Sequence, residues 1–230
     1  MPEDETDAAR MAELEADNRR LRRLLKERDA PSELRHRLRN TVAILRTIIR
    51  RSAQTERDRD GYIAHLEDRL DAIARAQAVA SEYGVVSLHM LVADELHRYG
   101  ASEGERVKLS GPEIALQPQA GQVLALAVHE LAVNAVEHGA LGSSDGRIEV
   151  AWTLEPGLRG RALALRWKER DAGHLAQTSH RGFGTEVLTN LLAYELKADT
   201  ALAFEPDGLL CTIRLPLSDR IGRPVGGEGA

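Results

Sequence analysis

Cysteine is almost absent from this chain, since Cys211 is the only one among 230 residues. A single thiol excludes an internal disulfide and a thiolate metal cluster, and it is typical of a reducing compartment. Aromatic residues are also few, with two Phe, two Trp and four Tyr. We therefore predict a core built from Leu, Val, Ile and Ala.

The chain also lacks a basic surplus and a long apolar run. Its formal net charge of −5 at pH 7 means that the protein as a whole has no basic field to attract nucleic acid. No stretch approaches the roughly 20 apolar residues that span a bilayer. The acidic N-terminal stretch MPEDETDAAR lacks the apolar core of a signal peptide. With 43 % apolar and 29 % charged residues, the composition predicts a cytoplasmic globular protein without a membrane segment.

Residues 1–30 carry a short heptad pattern. Its apolar positions repeat with a 3-4 spacing, at Met11, Leu14, Leu21 and Leu25. Asn18 takes one apolar position, as in parallel two-stranded coiled coils where a lone Asn fixes the register. The alternative is an amphipathic helix packed on its own chain, because only about two and a half heptads are present. We predict the coiled coil, and hence a parallel homodimer, with Pro31 ending the helix.

Residues 31–84 predict a helical hairpin, with helices at Ser32–Ser52 and Arg57–Tyr83. Each helix carries an apolar stripe with helical spacing. The stripes consist of Leu34, Leu38, Val42, Leu45 and Ile49 in the first helix and of Ile63, Leu66, Leu70, Ile73 and Gln77 in the second. One hairpin is too thin to bury both stripes, so we expect two copies to form a four-helix bundle.

From residue 85 to residue 218 the pattern changes to strands interleaved with helices. The predicted strands are Arg106–Leu109, Arg147–Thr153, Ala162–Lys168 and Leu209–Leu215. The predicted helices are Leu88–Tyr99, Ala120–His138 and Gly184–Leu196. This order, with mostly short connections, predicts a two-layer α/β domain, so the whole chain belongs to the α+β class. Residues 219–230 are predicted to form a disordered tail.

His36 lies among arginines in the stretch ELRHRLRN, on the first predicted helix of the hairpin. It falls about 160° from the centre of the apolar stripe and faces solvent, where Glu33 and Asn40 share its side of the helix. A neutral imidazole carries a nucleophilic nitrogen, and a neighbouring carboxylate can orient the ring or accept its proton. The alternative, an ordinary solvated histidine, is the more frequent case on a charged helix.

Polar side chains recur along the helix predicted at Ala120–His138. Glu130, Asn134 and His138 are spaced by four residues and fall on one stripe beside the buried face. Oxygen atoms of Asn and Glu suit Mg²⁺, which takes few protein ligands and completes its shell with water and phosphate. The alternative is a buried helix with an ordinary polar flank.

Two further stretches carry candidate residues for nucleotide binding. Gly182 and Gly184 precede a predicted helix, whose first N–H groups can receive phosphate oxygens, although a plain turn has the same pattern. Glu169, Asp171 and Gly173 stand at the end of a predicted strand in LRWKERDAG. A carboxylate there can accept a hydrogen bond from an adenine amino group, or it can belong to an ordinary polar loop.

Five stretches in this order resemble the HWE family of bacterial histidine kinases: ELRHRLRN, HELAVNAVEHGAL, LRWKE, GFGTEVL and PDGLLCTIRLPL. The resemblance extends over nearly all of residues 32–217. It includes the two features that name the family, the His-Glu pair at His129–Glu130 and the Trp-x-Glu of Trp167–Glu169. It implies a phosphoacceptor hairpin that dimerises, followed by an ATP-binding domain of the GHKL type.

The resemblance also implies roles for individual residues. It makes His36 the phosphoacceptor, with Glu33 and Asn40 as its neighbours, and it makes Asn134 a Mg²⁺ ligand with Glu130 near the metal or its water. ATP and Mg²⁺ are the implied cofactors, and the implied partner is the receiver domain of a response regulator, which takes the phosphoryl group on an aspartate. The remaining motif residues are implied to contact the nucleotide: His138, Glu169, Asp171, Gly173, Gly182, Phe183, Gly184 and Thr185.

The sequence departs from the family pattern in three places. Many members have Lys three residues after the metal Asn, where this chain has Glu137. The usual Gly-Gly-Pro after Trp-x-Glu is replaced by Asp171-Ala172-Gly173, and only the eight residues 174–181 remain for a lid over the nucleotide. These departures favour an alternative, a histidine phosphotransfer protein or phosphatase with little kinase activity. A further alternative is a protein similar to the anti-sigma serine kinases. The stretch NAVEHG also resembles the nucleotide motif of those proteins, although they lack an acceptor hairpin.

Overall fold

The computed structural model describes residues 41–42, 44–49, 59–157, 160–170 and 183–226. The chain divides into two compact units, Met1–Ile48 and Ile49–Ala230. The coiled coil predicted for residues 1–30 lies outside the described residues, as do His36, Glu33 and Asn40.

In the first unit, the described residues 41–42 and 44–48 are helical, in agreement with the helix predicted there. Ile44 and Ile48 are buried, whereas Val42 is 51 % exposed. The predicted apolar stripe runs through Val42, so this part of the stripe is open in the single chain. The second copy that would cover it stays a prediction.

The second unit contains helices, strands and short connections. Its helices are α1 (Arg59–Tyr83), α2 (Leu88–Arg98), α3 (Pro118–Glu137), α4 (Phe183–Glu186) and α5 (Leu192–Leu196), with a π-helical turn (Val187–Leu191) joining the last two. A 3-10 turn follows α3 at Ala140–Gly142. The strands are β1 (Val86–Ser87), β2 (Val107–Ser110), β3 (Ile114–Leu116), β4 (Arg147–Gly157), β5 (Gly160–Arg170), β6 (Asp199–Glu205), β7 (Gly208–Pro216) and β8 (Gly222–Pro224).

Five strands form a mixed sheet in the order β2-β4-β5-β7-β6. Strand β2 is parallel to β4, and the other neighbours are antiparallel. Alternate residues of β4 are buried, namely Ile148, Val150 and Trp152, which gives the sheet one covered face. The combination of these helices with a mixed sheet confirms the predicted α+β class.

Helix α3 is the central helix of this unit. Pro118 stands in its first turn, where a proline costs no helical hydrogen bond, and the helix ends just before Gly139. Its residues 120–132 are all buried, and Leu124, Leu126 and Leu131 are fully buried. Such a helix must satisfy every polar group that it buries, because an unpaired polar group inside a protein is costly.

Helix α1 packs along α3, in the same compact unit. Its buried residues are mostly small and lie on one face: Arg69, Ala72, Ile73, Ala76 and Ala80. Of the predicted stripe, Ile73 is on this face, whereas Ile63 is 39 % exposed. The sequence predicts a domain boundary between residues 84 and 85. In the structure α1 packs on α3 and belongs to the same compact unit, Ile49–Ala230.

Two predictions about the end of the chain and the core are corrected. The tail predicted for residues 219–230 is wrong for its first part, because β8 pairs with β3 and Ile221 is buried. The strand exists because β3 offers a free edge far away in the sequence, which local composition does not reveal. The core is aliphatic as predicted, but Trp152 and Trp167 are among its largest fully buried side chains.

Candidate active site

Helix α3 presents polar side chains of increasing exposure toward its C-terminal end. His129 and Glu130 are buried, Asn134 is half-buried, and His138 is exposed just after the last helical residue. The spacing of four residues places Glu130 and Asn134 on one side of the helix, one turn apart. The metal or catalytic role of Glu130 and the metal and nucleotide contacts of Asn134 and His138 stay predictions.

An arginine from α1 binds the Glu130 carboxylate with two hydrogen bonds. Arg69 donates from Nε to Oε1 at 2.7 Å and from Nη2 to Oε2 at 3.3 Å. Both side chains are buried, with 8 % and 4 % of their surfaces exposed. A paired arrangement of this kind is strong and directional, and it compensates a charge that would otherwise be buried alone. In this arrangement the Glu130 carboxylate is bound to Arg69 of α1.

The first turn of α4 brings Gly184 against the same part of α3. A Cβ atom on Gly184 would lie 3.0 Å from Glu130 Oε2 and 3.2 Å from Asn134 Nδ2. The absence of a side chain allows the α4 backbone to approach these groups closely. The structure therefore brings together three residues that the sequence assigned to two separate motifs.

Glu169, at the end of β5, is buried and uses both carboxylate oxygens within the protein. Oε1 accepts a hydrogen bond from the Trp167 indole N–H at 3.1 Å, and Oε2 accepts one from the Ala140 backbone N–H at 2.8 Å. A Cβ atom on Gly139 would collide with Glu169 Oε2, so a glycine is required there. Burial raises the pKa of Glu169, and the hydrogen bonds from Ala140 and Trp167 act in the opposite direction.

These contacts make Glu169 the group that fixes the turn after α3. Each carboxylate oxygen has two lone pairs and accepts one hydrogen bond here, so capacity remains for a further donor such as an adenine amino group. The adenine contact itself stays a prediction. The other candidates of this stretch, Asp171 and Gly173, lie outside the described residues.

His129 belongs to a buried polar network that joins α1, α2 and α3. Its Nδ1 lies 2.8 Å from Glu95 Oε1, and because a carboxylate only accepts, Nδ1 carries the hydrogen. Arg75 of α1 donates from Nη2 to Glu95 Oε2 at 2.6 Å, and the Tyr99 hydroxyl lies 3.3 Å from His129 Nδ1. Burial alone would raise the pKa of Glu95, but the bonds and charges of His129 and Arg75 lower it. Burial and the Glu95 charge raise the pKa of Tyr99 to about 12.

Glu137 replaces the lysine that many family members carry, and it faces α1. Its Oε1 lies 3.4 Å from Nε2 of His65, and its Oε2 lies 3.6 Å from Nε2 of the neighbouring His138. The carboxylate is therefore shared between two histidines. The departure in sequence therefore places a carboxylate between α1 and the end of α3.

Of the remaining predicted site residues, the structure describes some and not others. Gly182 lies outside the described residues, Phe183 begins α4, and Thr185 is half-buried in its first turn. Over the described ranges, no three side chains of His, Cys, Asp or Glu come close enough to hold a metal ion between them. None of the helices in the described part of the chain combines the length and apolar character needed to cross a bilayer.

Sequence reasoning missed Arg69, Glu95 and Gly139. Arg69 is one of several arginines in the second predicted helix, and its spacing does not distinguish it from the others. Gly139 does carry a local signal, since a glycine directly after a helix is typical of a C-terminal cap. The requirement for this glycine comes instead from Glu169, which approaches from another part of the chain.

Comparison with known proteins gives a family and a fold. The family model described as HWE histidine kinase matches residues 33–113. A blue-light-activated histidine kinase from Rhizobium johnstonii is 33 % identical over 215 residues, which cover 93 % of this chain and 58 % of that protein. Blue-light-activated histidine kinase 1 from Erythrobacter litoralis is 33 % identical over 198 residues, which cover 83 % of this chain and 54 % of that protein.

A solved structure of a blue-light activated histidine kinase from Erythrobacter litoralis resembles this fold with a TM-score of 0.53 at 16 % identity, covering 82 % of this chain and 63 % of that one. At this identity the likeness shows the fold alone. The chain spans a little over half the length of the curated relatives it matches. The matched family model, the two relatives and the fold agree with the ordered motifs at His129–Glu130 and Trp167–Glu169, and the chain belongs to the HWE histidine kinase family.

Proposed function

We propose that this chain is an ATP-dependent protein-histidine kinase that phosphorylates itself on His36. The phosphoryl group then passes to an aspartate in the receiver domain of a response regulator. The observation that supports this most is the meeting of Asn134, Glu130 and Gly184 beside the end of α3. The names of the relatives, which are histidine kinases, support the same reaction.

The residues at this place fit a complex of ATP with Mg²⁺. Asn134 offers an amide oxygen from a half-buried position, and the α4 backbone at Gly184 lies close beside it without a side chain. Mg²⁺ needs few protein ligands, because phosphate oxygens and water complete its shell. Asn134 is the proposed ligand, and Glu130 is a second one when Arg69 does not hold it. Glu169 retains lone pairs for the adenine amino group.

The proposed chemistry places few demands on the protein beyond position and charge. A ring nitrogen of His36 attacks the γ-phosphorus of ATP, a nitrogen–phosphorus bond forms, and the bond to the β–γ bridging oxygen breaks with release of ADP. Glu33 accepts the proton that the other ring nitrogen gives up. Mg²⁺, when bound, offsets the charge on the phosphates. In the second reaction an aspartate oxygen takes the phosphoryl group, and the imidazole is regenerated.

Incubation with ATP labelled at the γ-phosphate tests this function. The wild-type protein with Mg²⁺ should acquire acid-labile label, and the variants His36→Ala and Asn134→Ala should not. His97→Ala is the matched control, because His97 is an exposed histidine on α2 away from the motifs, and it should label as the wild type does. Label that survives in His36→Ala contradicts the assignment of the acceptor.

The partner, assembly and location follow from the same proposal. We expect a parallel homodimer through the coiled coil at residues 1–30 and the hairpin at residues 31–84. The partner is a response regulator that docks on the hairpin near His36. A kinase that uses ATP and carries one cysteine acts most simply in the cytoplasm.

A second candidate function is a histidine phosphotransfer protein or phosphatase with little kinase activity. Two contacts favour it: Glu137 places a negative charge where many relatives have a lysine, and Arg69 holds Glu130. In that case His36 exchanges phosphate with a response regulator, and Asn40 positions the attacking water. Titration with ATP separates the two functions, since tight binding that is lost in Asn134→Ala indicates a working nucleotide site.

A further inference from the structure

We propose that Arg69 serves as a resident cation at the candidate metal site, so that α1 must release Glu130 before Mg²⁺ and nucleotide occupy it fully. The inference rests on the proposed function, because it concerns the site assigned above to ATP. It starts from one observation: the Arg69 guanidinium binds both oxygens of Glu130, at the place where Asn134 and Gly184 also meet.

Arg69 and a bound metal ion would both draw on the Glu130 carboxylate. Glu130 supplies one negative charge, and Arg69 already neutralises it with bonds of 2.7 Å and 3.3 Å. A metal ion bound to the same carboxylate would stand within about 5 Å of the guanidinium, where two positive charges in a buried setting repel each other strongly. The two cations therefore compete for Glu130.

The competition extends to the position of α1, because other contacts hold this helix along α3. His65 lies beside Glu137 near the C-terminal end of α3. At the opposite end, Gln122 donates a hydrogen bond to Gln77. Arg69 is the middle contact and the most deeply buried one. A metal that displaces Arg69 therefore weakens the attachment of the whole helix.

This coupling has a direction that thermodynamic linkage fixes. If Mg²⁺ with nucleotide disfavours the docked position of α1, then docking of α1 disfavours Mg²⁺ with nucleotide to the same extent. Helix α1 is the second helix of the predicted hairpin whose first helix carries His36. Filling the nucleotide site would thereby free the hairpin that has to present the acceptor, and an empty site would keep it held.

Nucleotide affinity measured with and without the metal tests the proposal. A non-hydrolysable ATP analogue is titrated calorimetrically into wild type, Arg69→Gln and Arg98→Gln, in Mg²⁺ and in EDTA. Arg69→Gln should bind the analogue about tenfold more tightly in Mg²⁺, the gain expected if α1 is docked in roughly nine molecules of ten. Binding in EDTA should stay unchanged. Arg98→Gln is the matched control, because it removes an exposed arginine of α2 that does not attach α1, and it should alter neither affinity.

Two further measurements keep the test decisive if Arg69→Gln folds poorly. Arg69→Lys keeps the charge but loses the paired geometry, so it should shift the affinity in the same direction by a smaller factor. In the wild type, hydrogen exchange of backbone amides at residues 65–73 should become faster with the analogue and Mg²⁺, but not with the analogue in EDTA.

Three results would overturn the inference. An unchanged dependence on Mg²⁺ in both Arg69 variants would show that the cations do not compete. Weaker binding of the analogue in both Mg²⁺ and EDTA would show that Arg69 contacts the phosphates instead. If the wild type binds no analogue under either condition, the proposed function itself fails, and the inference fails with it.

Discussion

The substitution Gly139→Ala tests how tightly the end of α3 is fixed to β5. The added Cβ would overlap Glu169 Oε2 and would stand 2.9 Å from the Ala135 Cα and 3.0 Å from the Glu169 Cδ. The backbone is no obstacle, because φ is −127° and ψ is −152° at this residue, within the extended range. The conflict is therefore steric, and it falls on a carboxylate that is only 1 % exposed.

The energetic cost follows from the contacts that have to give way. Moving Glu169 aside breaks the bond from the Ala140 N–H and strains the bond from the Trp167 indole. A hydrogen bond to a charged group contributes about 1.5–3 kcal/mol, and overpacking of a buried site costs about 1–3 kcal/mol. We expect Gly139→Ala to lower the free energy of unfolding by about 3–5 kcal/mol. Nucleotide affinity should fall as well, since Asn134 lies little more than one turn earlier.

Urea unfolding measures the loss, with Gly104→Ala as the matched control. A Cβ on Gly104 meets nothing within 4 Å, so this variant should stay within about 0.5 kcal/mol of the wild type. A double-mutant cycle with Glu169→Ala isolates the clash, and the two changes should couple by about 1–3 kcal/mol. The reasoning is refuted if Gly139→Ala is as harmless as Gly104→Ala, or if the two changes in the cycle are additive.

Two other predictions concern the buried network and the close approach at Gly184. The folded pKa of Glu95 lies below its usual 4.5, so its contribution to stability is present above about pH 4.5 and is lost as the pH falls through the folded pKa. Urea unfolding at a series of pH values should show this loss in the wild type and a flatter profile in Glu95→Gln; equal slopes would contradict the assignment. Gly184→Ala places a Cβ 3.0 Å from Glu130 Oε2 in a helical turn that tolerates Ala. It should weaken binding of the ATP analogue about tenfold while changing the unfolding free energy by less than about 1 kcal/mol, and unchanged binding would show that nucleotide does not use this space.

The elements that the sequence predicts correctly are those whose signals are local. Helix α3 was predicted as Ala120–His138 and occupies Pro118–Glu137, because its apolar pattern and terminal residues lie within it. The strands β4, β5 and β7 were predicted with shorter bounds for the same reason. The sequence prediction lacks the short strands β1, β3 and β8, which exist only by pairing with one another from distant parts of the chain. It also lacks β6, although β6 pairs with its neighbour β7.

In the candidate site, too, the features with local signals are predicted and the distant contacts are not. Helical spacing places Glu130 and Asn134 on one side of α3, and the motif order adds Gly184, which the structure brings to the same place. The partner of Glu130 could not be predicted, because Arg69 lies 61 residues earlier in the chain. Such a contact depends on how α1 packs, and no local pattern in the sequence specifies that packing.

The residues that name the family form buried hydrogen bonds that hold the fold together in this structure. His129 joins α3 to α2 through Glu95, and Trp167 with Glu169 joins the turn after α3 to β5. These attachments lie on either side of Asn134, which is left half-buried between them. The proposed role of Asn134 as a Mg²⁺ ligand requires an amide that is held in place and accessible, and two buried attachments flanking it meet this requirement. In the proposed kinase the motif therefore positions Asn134, and the proposed competition at Arg69 and Glu130 sets when a metal can bind beside it.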